Sequence, residues 1–219
     1  MSGWSRSPER PGRSRRSPRS VDKAFRALTA SRTSGADSAT VVFTIGHGAR
    51  PIGELIALLR SAGVRQLVDV RTAPGSRKHP QFAKAALETS LKAAGIGYVW
   101  RQDLGGWRKA TPASPHSALR SPAFRGYADH MDSEEFGHAL DWLIETSAAA
   151  PTAIMCAESL WWRCHRRMLA DALTARGREV VHVMSGGTLE PHRVHPSARV
   201  VGNRVVYDVD RPEQQELPG

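Results

Sequence analysis

Short apolar segments alternate with amphipathic segments from Thr40 to Met184, and this alternation restricts the possible folds strongly. The apolar segments are rich in β-branched residues and have the length of buried parallel strands. The segments between them carry apolar residues at helical spacing. Strands separated by helices of this length pair in parallel through right-handed crossovers, with helices on both faces of the sheet. The predicted strands are residues 40–45, 66–70, 96–101, 152–155 and 179–184, and the predicted helices are 51–62, 81–94, 127–147 and 164–173.

We therefore predict a single three-layer, Rossmann-like α/β domain over residues 39–210, with a mostly parallel sheet of about five strands. Residues 107–126 contain three prolines and little periodicity, which predicts a long surface loop. Residues 198–201 and 204–209 flank Gly202-Asn203, a pattern that predicts a C-terminal β-hairpin. Residues 211–219 are expected to form a flexible C-terminus.

The first 38 residues differ in composition from the rest of the chain. They are rich in Ser, Arg, Pro and Gly, and they hold too few apolar residues to offset the entropy of ordering, so we predict a disordered tail. This tail carries nine basic and three acidic residues, a net +6 of the total +10. Such a charge suggests either contact with a polyanion or no specific partner. A transit peptide is an alternative, although Pro8, Pro11 and Pro18 interrupt the amphipathic helix it would need.

The sequence lacks the motifs of membrane proteins, secreted proteins and two common classes of nucleotide-binding protein. The sequence has no apolar run long enough to cross a bilayer and no secretory signal, so we expect a cytoplasmic protein with no membrane partner. In that setting Cys156 and Cys164 are expected to be thiols or metal ligands and not a disulfide. A dinucleotide fingerprint after the first strand and a P-loop are both missing from the sequence.

Chemically active or glycine residues follow each of the five predicted strands. In open α/β sheets ligands bind at the carboxyl ends of the strands, so these residues are expected to converge on one site. A set of five such strand ends favours a functional site over isolated structural groups. The segments are Gly46-His47-Gly48, Asp69-Val70-Arg71, Leu104-Gly105-Gly106, Cys156-Ala157-Glu158 and Ser185-Gly186-Gly187.

Three residues are candidate catalytic groups. Cys164 is predicted near the first turn of a helix beside cationic neighbours, an environment that lowers the pKa of a thiol and favours a nucleophilic thiolate. His165 would assist it. Glu158 is a candidate general acid or base because partial burial beside tryptophans raises the pKa of a carboxyl group. Its alternative role is an ion pair with Arg166 or Arg167 that caps the helix.

The expected substrate-binding groups include arginines that would clamp an anion, since a guanidinium group suits phosphate or carboxylate. Trp107, Trp161 and Trp162 could stack on nucleobases, or pack in the core or a lid. The complete predicted substrate-binding set is His47, Asp69, Arg71, Ser76, Arg77, Cys156 and Arg166.

Zinc is the alternative interpretation of the cysteines. Cys156, Cys164 and His165, with His47 as a fourth ligand, would suit tetrahedral zinc. However, adjacent residues on a helix point about 100° apart, which makes joint ligation by Cys164 and His165 awkward. The spacing of the two cysteines also differs from that of sequence-local zinc motifs. We therefore expect no stoichiometric zinc, no other cofactor, and a free thiol at Cys164.

These motifs resemble a known family. The runs TIGHG, LVDVRTAPGSRKHPQF, LGG, FRGYADHM and IMCAESLWWRCHRRMLADAL are similar over about residues 40–184 to the bacterial and archaeal family named domain of unknown function 488. The resemblance implies a compact α/β domain with a site formed by the D-V-R, C-x-E and C-H-R elements. Such proteins usually have Ser and Asn where this chain has Gly48 and Ala49. The positions that match are His47, Asp69, Arg71, Pro74, Ser76, Arg77, Cys156, Glu158, Cys164, His165 and Arg166.

Two functions are consistent with these observations. The first is an enzyme that acts on an anionic nucleotide-type or nucleic-acid substrate, for example by hydrolysis of an N-glycosidic bond. The second is a non-catalytic nucleic-acid-binding module, in which the basic tail provides affinity and the Cys/His cluster is structural.

Overall fold

The computed structural model describes residues 41–75 and 77–209. The predicted tail at 1–38, Ser76 and the C-terminal residues 211–219 lie outside these ranges. Among the described residues, no helix has the length and apolar character needed to cross a membrane.

A six-stranded sheet forms the centre of the fold, in the order β3-β2-β4-β1-β5-β6. The first five strands of this order are parallel, as predicted, and β6 is antiparallel to β5. The two remaining strands form the predicted antiparallel hairpin. The strands are β1 Val41–Gly46, β2 Gln66–Asp69, β3 Gly97–Trp100, β4 Thr152–Cys156, β5 Glu179–Val183, β6 Leu189–Pro191, β7 Ala198–Val201 and β8 Arg204–Tyr207.

Helices cover both faces of the sheet and create two separate cores. On one face, Leu55 and Leu91 pack with the strand residue Ile45. On the other, Leu143 and Met168 belong to a second cluster. The predicted three-layer α/β architecture is confirmed. The helices are α1 Ile52–Ser61, α2 Lys84–Ala93, α3 Pro122–Met131, α4 Glu134–Ala149 and α5 Arg166–Ala175, with short 3₁₀ turns at Pro80–Phe82, Gln102–Leu104 and Trp161–Arg163.

The structure corrects three sequence predictions. The single helix predicted at 127–147 is two helices, because the chain leaves the helical path and Ser133 caps a new one through a 3.2 Å bond from the Phe136 amide. The long loop is shorter than predicted, since α3 already begins at Pro122. Helix α5 begins at Arg166, so that Cys164, predicted to be helical, lies before it in an extended conformation.

Candidate functional site

A cleft of about 600 Å³ lies at the carboxyl ends of β1, β2 and β4, which are neighbours in the middle of the sheet. This is the edge at which the sequence predicts a site. Because β4 lies between β2 and β1, the segment that follows it is central to the cleft. Six of the predicted site residues line the cleft: His47, Arg71, Cys156, Glu158, Cys164 and His165.

A compact Cys/His cluster, formed by Cys156, Cys164 and His165, lies in the wall of the cleft. Their ligand atoms are all within 4.8 Å of one another. The Nδ1 atom of His165 is 3.5 Å from the sulfur of Cys164 and 3.9 Å from that of Cys156. Each of the three residues is less than a tenth exposed. The cluster is therefore shielded from bulk solvent but opens on the cleft.

Two contacts fix the ring of His165. Its Nε2–H donates a hydrogen bond to the Val70 carbonyl at 3.2 Å, just beyond the end of β2. A carbonyl oxygen only accepts hydrogen bonds, so the proton is on Nε2 and the lone pair of Nδ1 points towards the sulfurs. Gly106 also packs against this ring, and a Cβ added to it would lie 2.6 Å from the ring Cγ. The glycine is needed here because the imidazole occupies the space of a side chain.

The two thiols share one ionisation. A hydrogen bond from Cys156, together with the positive charge of Arg166, holds the pKa of Cys164 well below its usual value against the effect of burial. The pKa of Cys156 is raised, because its proton is held in the bond to Cys164 and because it is buried. The cluster therefore favours one thiolate and one thiol, with the negative charge on Cys164.

Asp69 and Arg71 form a buried ion pair beside the cleft. Asp69 is fully buried and Arg71 is 5% exposed. The Nε of Arg71 donates to Asp69 Oδ1 at 2.8 Å, and its Nη1 donates to the Phe82 carbonyl at 2.9 Å. The Tyr98 hydroxyl also donates to Asp69, at 2.8 Å. These contacts favour a structural role for the pair over the predicted binding of substrate.

Arg166 is also held inside the protein. It is 1% exposed, and its Nη2 donates to the backbone carbonyl of Glu158. It supports the segment after β4 and places a positive charge near both cysteines. Because Arg166 is held inside the protein in this way, it does not support the anion clamp that the sequence suggests. Arg77 is exposed on the loop that follows β2.

Glu158 is exposed at the rim of the cleft, and its Oε1 accepts a 3.2 Å hydrogen bond from the Leu160 amide. The expected burial of this carboxylate by tryptophans is wrong, because Trp161 turns away to stack on His182 with ring centroids 4.0 Å apart. Trp162 is 42% exposed and does not line the cleft. The carboxylate of Glu158 is accessible to a ligand.

His47 is a buried, neutral hydrogen-bonding group. Its Nδ1–H donates to the Gly48 carbonyl at 2.8 Å, and its ring stacks on Phe82 with centroids 4.2 Å apart. Burial, together with the charge of Arg71, lowers the pKa of His47 to about 4, although the bond to Gly48 opposes this effect. Its Nε2 lies 3.4 Å from Arg71 Nη1 and not in the Cys/His cluster. The fourth-ligand role considered for His47 has no support in this arrangement.

The walls of the cleft carry exposed aromatic and cationic groups. Trp107 lines the cleft and is 79% exposed. Arg163 also lines it and is exposed. The loop that contributes Thr72 and His79 to the lining bears the exposed residues Arg77 and Lys78. An aromatic face and the positive charge of Arg163 are therefore available in the cleft, and Arg77 and Lys78 add charge on the adjoining loop.

A second polar network lies away from the cleft. It includes His192, to which the sequence assigned no role. Asp171 accepts a 2.9 Å bond from His192, His192 and His182 have ring nitrogens 3.0 Å apart, and Thr44 bonds His182 at 2.7 Å. The hydroxyl of Tyr207 donates to the second oxygen of Asp171 at 2.7 Å. The only sequence signal was an aspartate on the apolar face of α5, which indicates a buried partner without naming it.

A family model described as domain of unknown function DUF488 matches residues 51–173, which contain the cleft segments from β2 to α5. The chain belongs to this family. Searches of curated proteins and of solved structures found no significant match.

The departure of this chain from the usual DUF488 pattern at Gly48 has a structural counterpart. The φ of Gly48 is +52°, and the hydroxyl of Ser159 occupies the space that a side chain at this position would enter. Gly48 and Ser159 both line the cleft. Ser159 therefore places a hydroxyl beside Gly48 in the wall of the cleft.

Proposed function

We propose that this DUF488 protein is an enzyme that hydrolyses an anionic, nucleotide-type substrate in the cleft. The observation that carries the proposal is the combination of the buried Cys/His cluster with an exposed carboxylate, an exposed indole and the exposed guanidinium group of Arg163 around one cavity. A pocket at the carboxyl edge of a parallel sheet that holds convergent polar groups is the usual position of an active site in this fold class.

The groups at the mouth match the parts of a nucleotide. Trp107 offers a flat aromatic face, and stacking of a base on such a face contributes about 1–3 kcal/mol. Arg163 provides a guanidinium group for phosphate or another anion. Arg77 and Lys78 add positive charge on the adjacent loop, which raises the local concentration of anions. The buried arginines instead bond to the protein itself, Arg71 to Asp69 and Arg166 to the Glu158 carbonyl.

Glu158 is the candidate proton-transfer group, because it is the carboxylate that lines the cleft among the described residues. For an N-glycosidic substrate, Glu158 would take a proton from water as the water oxygen bonds to the anomeric carbon. The carbon–nitrogen bond breaks, and the proton returns to the departing base. The products are the free base and the sugar.

The test is a substrate panel with a matched pair of variants. Nucleosides, nucleotides and short single-stranded DNA and RNA are incubated with the purified chain, and products are identified by mass spectrometry. We expect Glu158→Gln to reduce turnover about 100-fold or more, as for loss of a general acid or base. Glu88→Gln, on the exposed side of α2 and away from the cleft lining, should keep wild-type turnover.

The alternative is a non-catalytic nucleic-acid-binding module. The exposed Trp107 favours it as well, since aromatic platforms bind single strands without chemistry. In that case the wild-type chain and Glu158→Gln bind single-stranded DNA or RNA with the same salt dependence, and no substrate of the panel is converted. This result would contradict the proposed hydrolase.

A further inference from the structure

We propose that Cys156, Cys164 and His165 bind one divalent zinc-class metal ion, with a coordination position left open to the cleft. The presence of the ion follows from the geometry of the cluster. Its participation in hydrolysis rests on the proposed function.

The first argument is distance. In tetrahedral zinc sites the metal–sulfur bond is about 2.3 Å and the metal–nitrogen bond about 2.0–2.1 Å, which places sulfur and nitrogen ligands about 3.5 Å apart. The observed separations from His165 Nδ1 are 3.5 Å to the sulfur of Cys164 and 3.9 Å to that of Cys156. All three ligand atoms lie within 4.8 Å of one another. The two distances from the imidazole nitrogen are thus close to those of a bound site, and an ion would draw the two sulfurs to about 3.8 Å from each other.

The second argument is the orientation of the imidazole. Histidine ligands of metals usually donate their second ring N–H to a carboxylate or a backbone carbonyl, which fixes the tautomer. His165 does this through Nε2–H and the Val70 carbonyl at 3.2 Å. The close packing of Gly106 against the ring also restricts its movement. The lone pair of Nδ1 is thus presented to the sulfurs before any metal arrives.

The backbone conformation at Cys164 and His165 removes the main objection that the sequence raised. That objection assumed that Cys164 and His165 are both helical and therefore point about 100° apart. Cys164 is extended, with φ −129° and ψ 154°, whereas His165 has φ −56° and ψ −18°. This change of backbone conformation between adjacent residues lets both side chains converge. Cys156 reaches the same point from the end of β4.

The donor set indicates the class of metal. Two sulfurs and one imidazole nitrogen select borderline to soft ions such as zinc over magnesium or calcium, which prefer oxygen. The described part of the chain supplies three ligands, and all three line the cleft. Structural zinc sites have four protein ligands, whereas catalytic sites have three and an open position. The cluster is of the second type.

The decisive measurement uses the unmodified full-length chain. Protein purified under reducing conditions without chelator is analysed for metal, and the metal-free form is then titrated with Co²⁺. We expect about one zinc per chain, a sulfur-to-cobalt charge-transfer band, and the visible bands of tetrahedral cobalt. Alkylation of the two thiols should be slow with zinc bound and fast after chelation. This test needs no variant that folds poorly.

Variants assign the ligands. Cys164→Ser and His165→Gln should each weaken Co²⁺ binding by at least about 10-fold, since even changes around the ligands have effects of 10- to 100-fold. His138→Gln, an exposed histidine on α4, is the matched control and should bind as the wild type does. Circular dichroism and melting curves show whether each variant is folded.

The absence of zinc and of the cobalt bands, with thiol alkylation unaffected by added zinc, would overturn the proposal. Recovery of Cys156 and Cys164 as a disulfide under the same reducing conditions would also overturn it. Turnover by metal-free protein would reject the metal's role and leave the hydrolase standing. Stoichiometric metal without turnover of any substrate would support the metal site and reject the hydrolase.

Discussion

Gly106 is the position at which a single methyl group should have a large effect. A Cβ at this residue would lie 2.6 Å from the Cγ of His165. The ring cannot move away freely, because its Nε2–H is hydrogen-bonded to the Val70 carbonyl. We expect Gly106→Ala to lower the free energy of unfolding by about 1–3 kcal/mol, the usual range for overpacking. Urea denaturation measures this change.

The matched control for Gly106→Ala is Gly53→Ala. Gly53 is in helix α1, and nothing lies within 4 Å of its added Cβ. Alanine is the better helix former, so this variant should be up to about 1 kcal/mol more stable. Equal destabilisation of both variants would show that contact with His165 is not the cause of the loss at Gly106.

Loss of Arg71 should mainly lower stability, whereas loss of Arg163 should mainly weaken substrate binding. Removing Arg71 leaves the fully buried Asp69 without its counter-ion, and breaking a buried pair costs about 3–5 kcal/mol. Arg163 is exposed, so Arg163→Ala should change stability by less than about 0.5 kcal/mol and weaken substrate binding. Denaturation curves and binding assays separate the two effects. A stable Arg71→Ala variant that fails only to bind ligand would restore the anion clamp.

The sequence predicted six of the residues that line the cleft but not what each one contacts, and the predicted segment Ser185-Gly186-Gly187 does not line it. Strand ends and the parallel topology were enough to bring Cys156, Glu158 and His165 to one cleft. The pairing of Asp69 with Arg71 could not be predicted, because spacing does not show whether a guanidinium group turns inward. The convergence of Cys164 and His165 depends on backbone angles at a helix start, and those are set by tertiary packing.

At the scale of elements, the helix break after α3 shows a similar limit. The apolar spacing continues across it, and the evidence for a new start is a local cap. Ser133 accepts a 3.2 Å bond from the Phe136 amide, whereas Ser121, at the start of α3, has no side-chain cap bond. We expect Ser133→Ala to cost about 0.5–2 kcal/mol and Ser121→Ala to cost less. Thermal melts of both variants check this, and equal losses would contradict it.

Strand β6 was missed for a different reason. It has three residues, one of which is a proline, and offers no alternation to detect. Its pairing with β5 brings the following segment back over Val180, whose carbonyl accepts a 2.8 Å bond from the His192 amide. This return places His192 between His182 and Asp171. The network therefore ties β1, β5 and α5 to the C-terminal segment.

That network makes stability depend on pH. Burial, then the charges of His192 and Arg166, lower the pKa of His182 from 6.5 to about 3. Between about pH 6.5 and about pH 3, His182 thus carries a proton in the unfolded chain but not in the folded chain. The free energy of unfolding therefore falls as pH decreases through this window. We expect a slope of up to about 1.4 kcal/mol per pH unit from this histidine.

Urea denaturation across the window measures this slope in the wild type and in His182→Asn. The variant will be less stable at every pH, and the informative result is a shallower dependence. His138→Gln removes an exposed histidine and should leave the wild-type slope. Parallel curves for the wild type and His182→Asn would show that His182 is not the group that titrates.

At the scale of the whole molecule, most of the net charge lies outside the residues that the structure describes. The sheet and both helical layers are built from residues 41–209, while residues 1–38 hold +6 of the total +10 charge. Deletion of residues 1–38 should therefore leave the melting temperature and the turnover of mononucleotides unchanged. It should weaken binding to duplex DNA and reduce the slope of log affinity against log salt by up to about 5, since each phosphate contact contributes about 0.9.

The matched truncation removes residues 211–219, which contain one arginine and two glutamates, and it should not weaken DNA binding. Fluorescence anisotropy at several salt concentrations compares both truncated chains with the chain that contains all 219 residues. If deletion of residues 1–38 leaves the affinity at low salt unchanged, the polyanion contact lies on the folded part, and the positive groups around Trp107 and Arg163 become its position. If mononucleotide turnover falls instead, the basic segment takes part in the reaction and the cleft is incomplete without it.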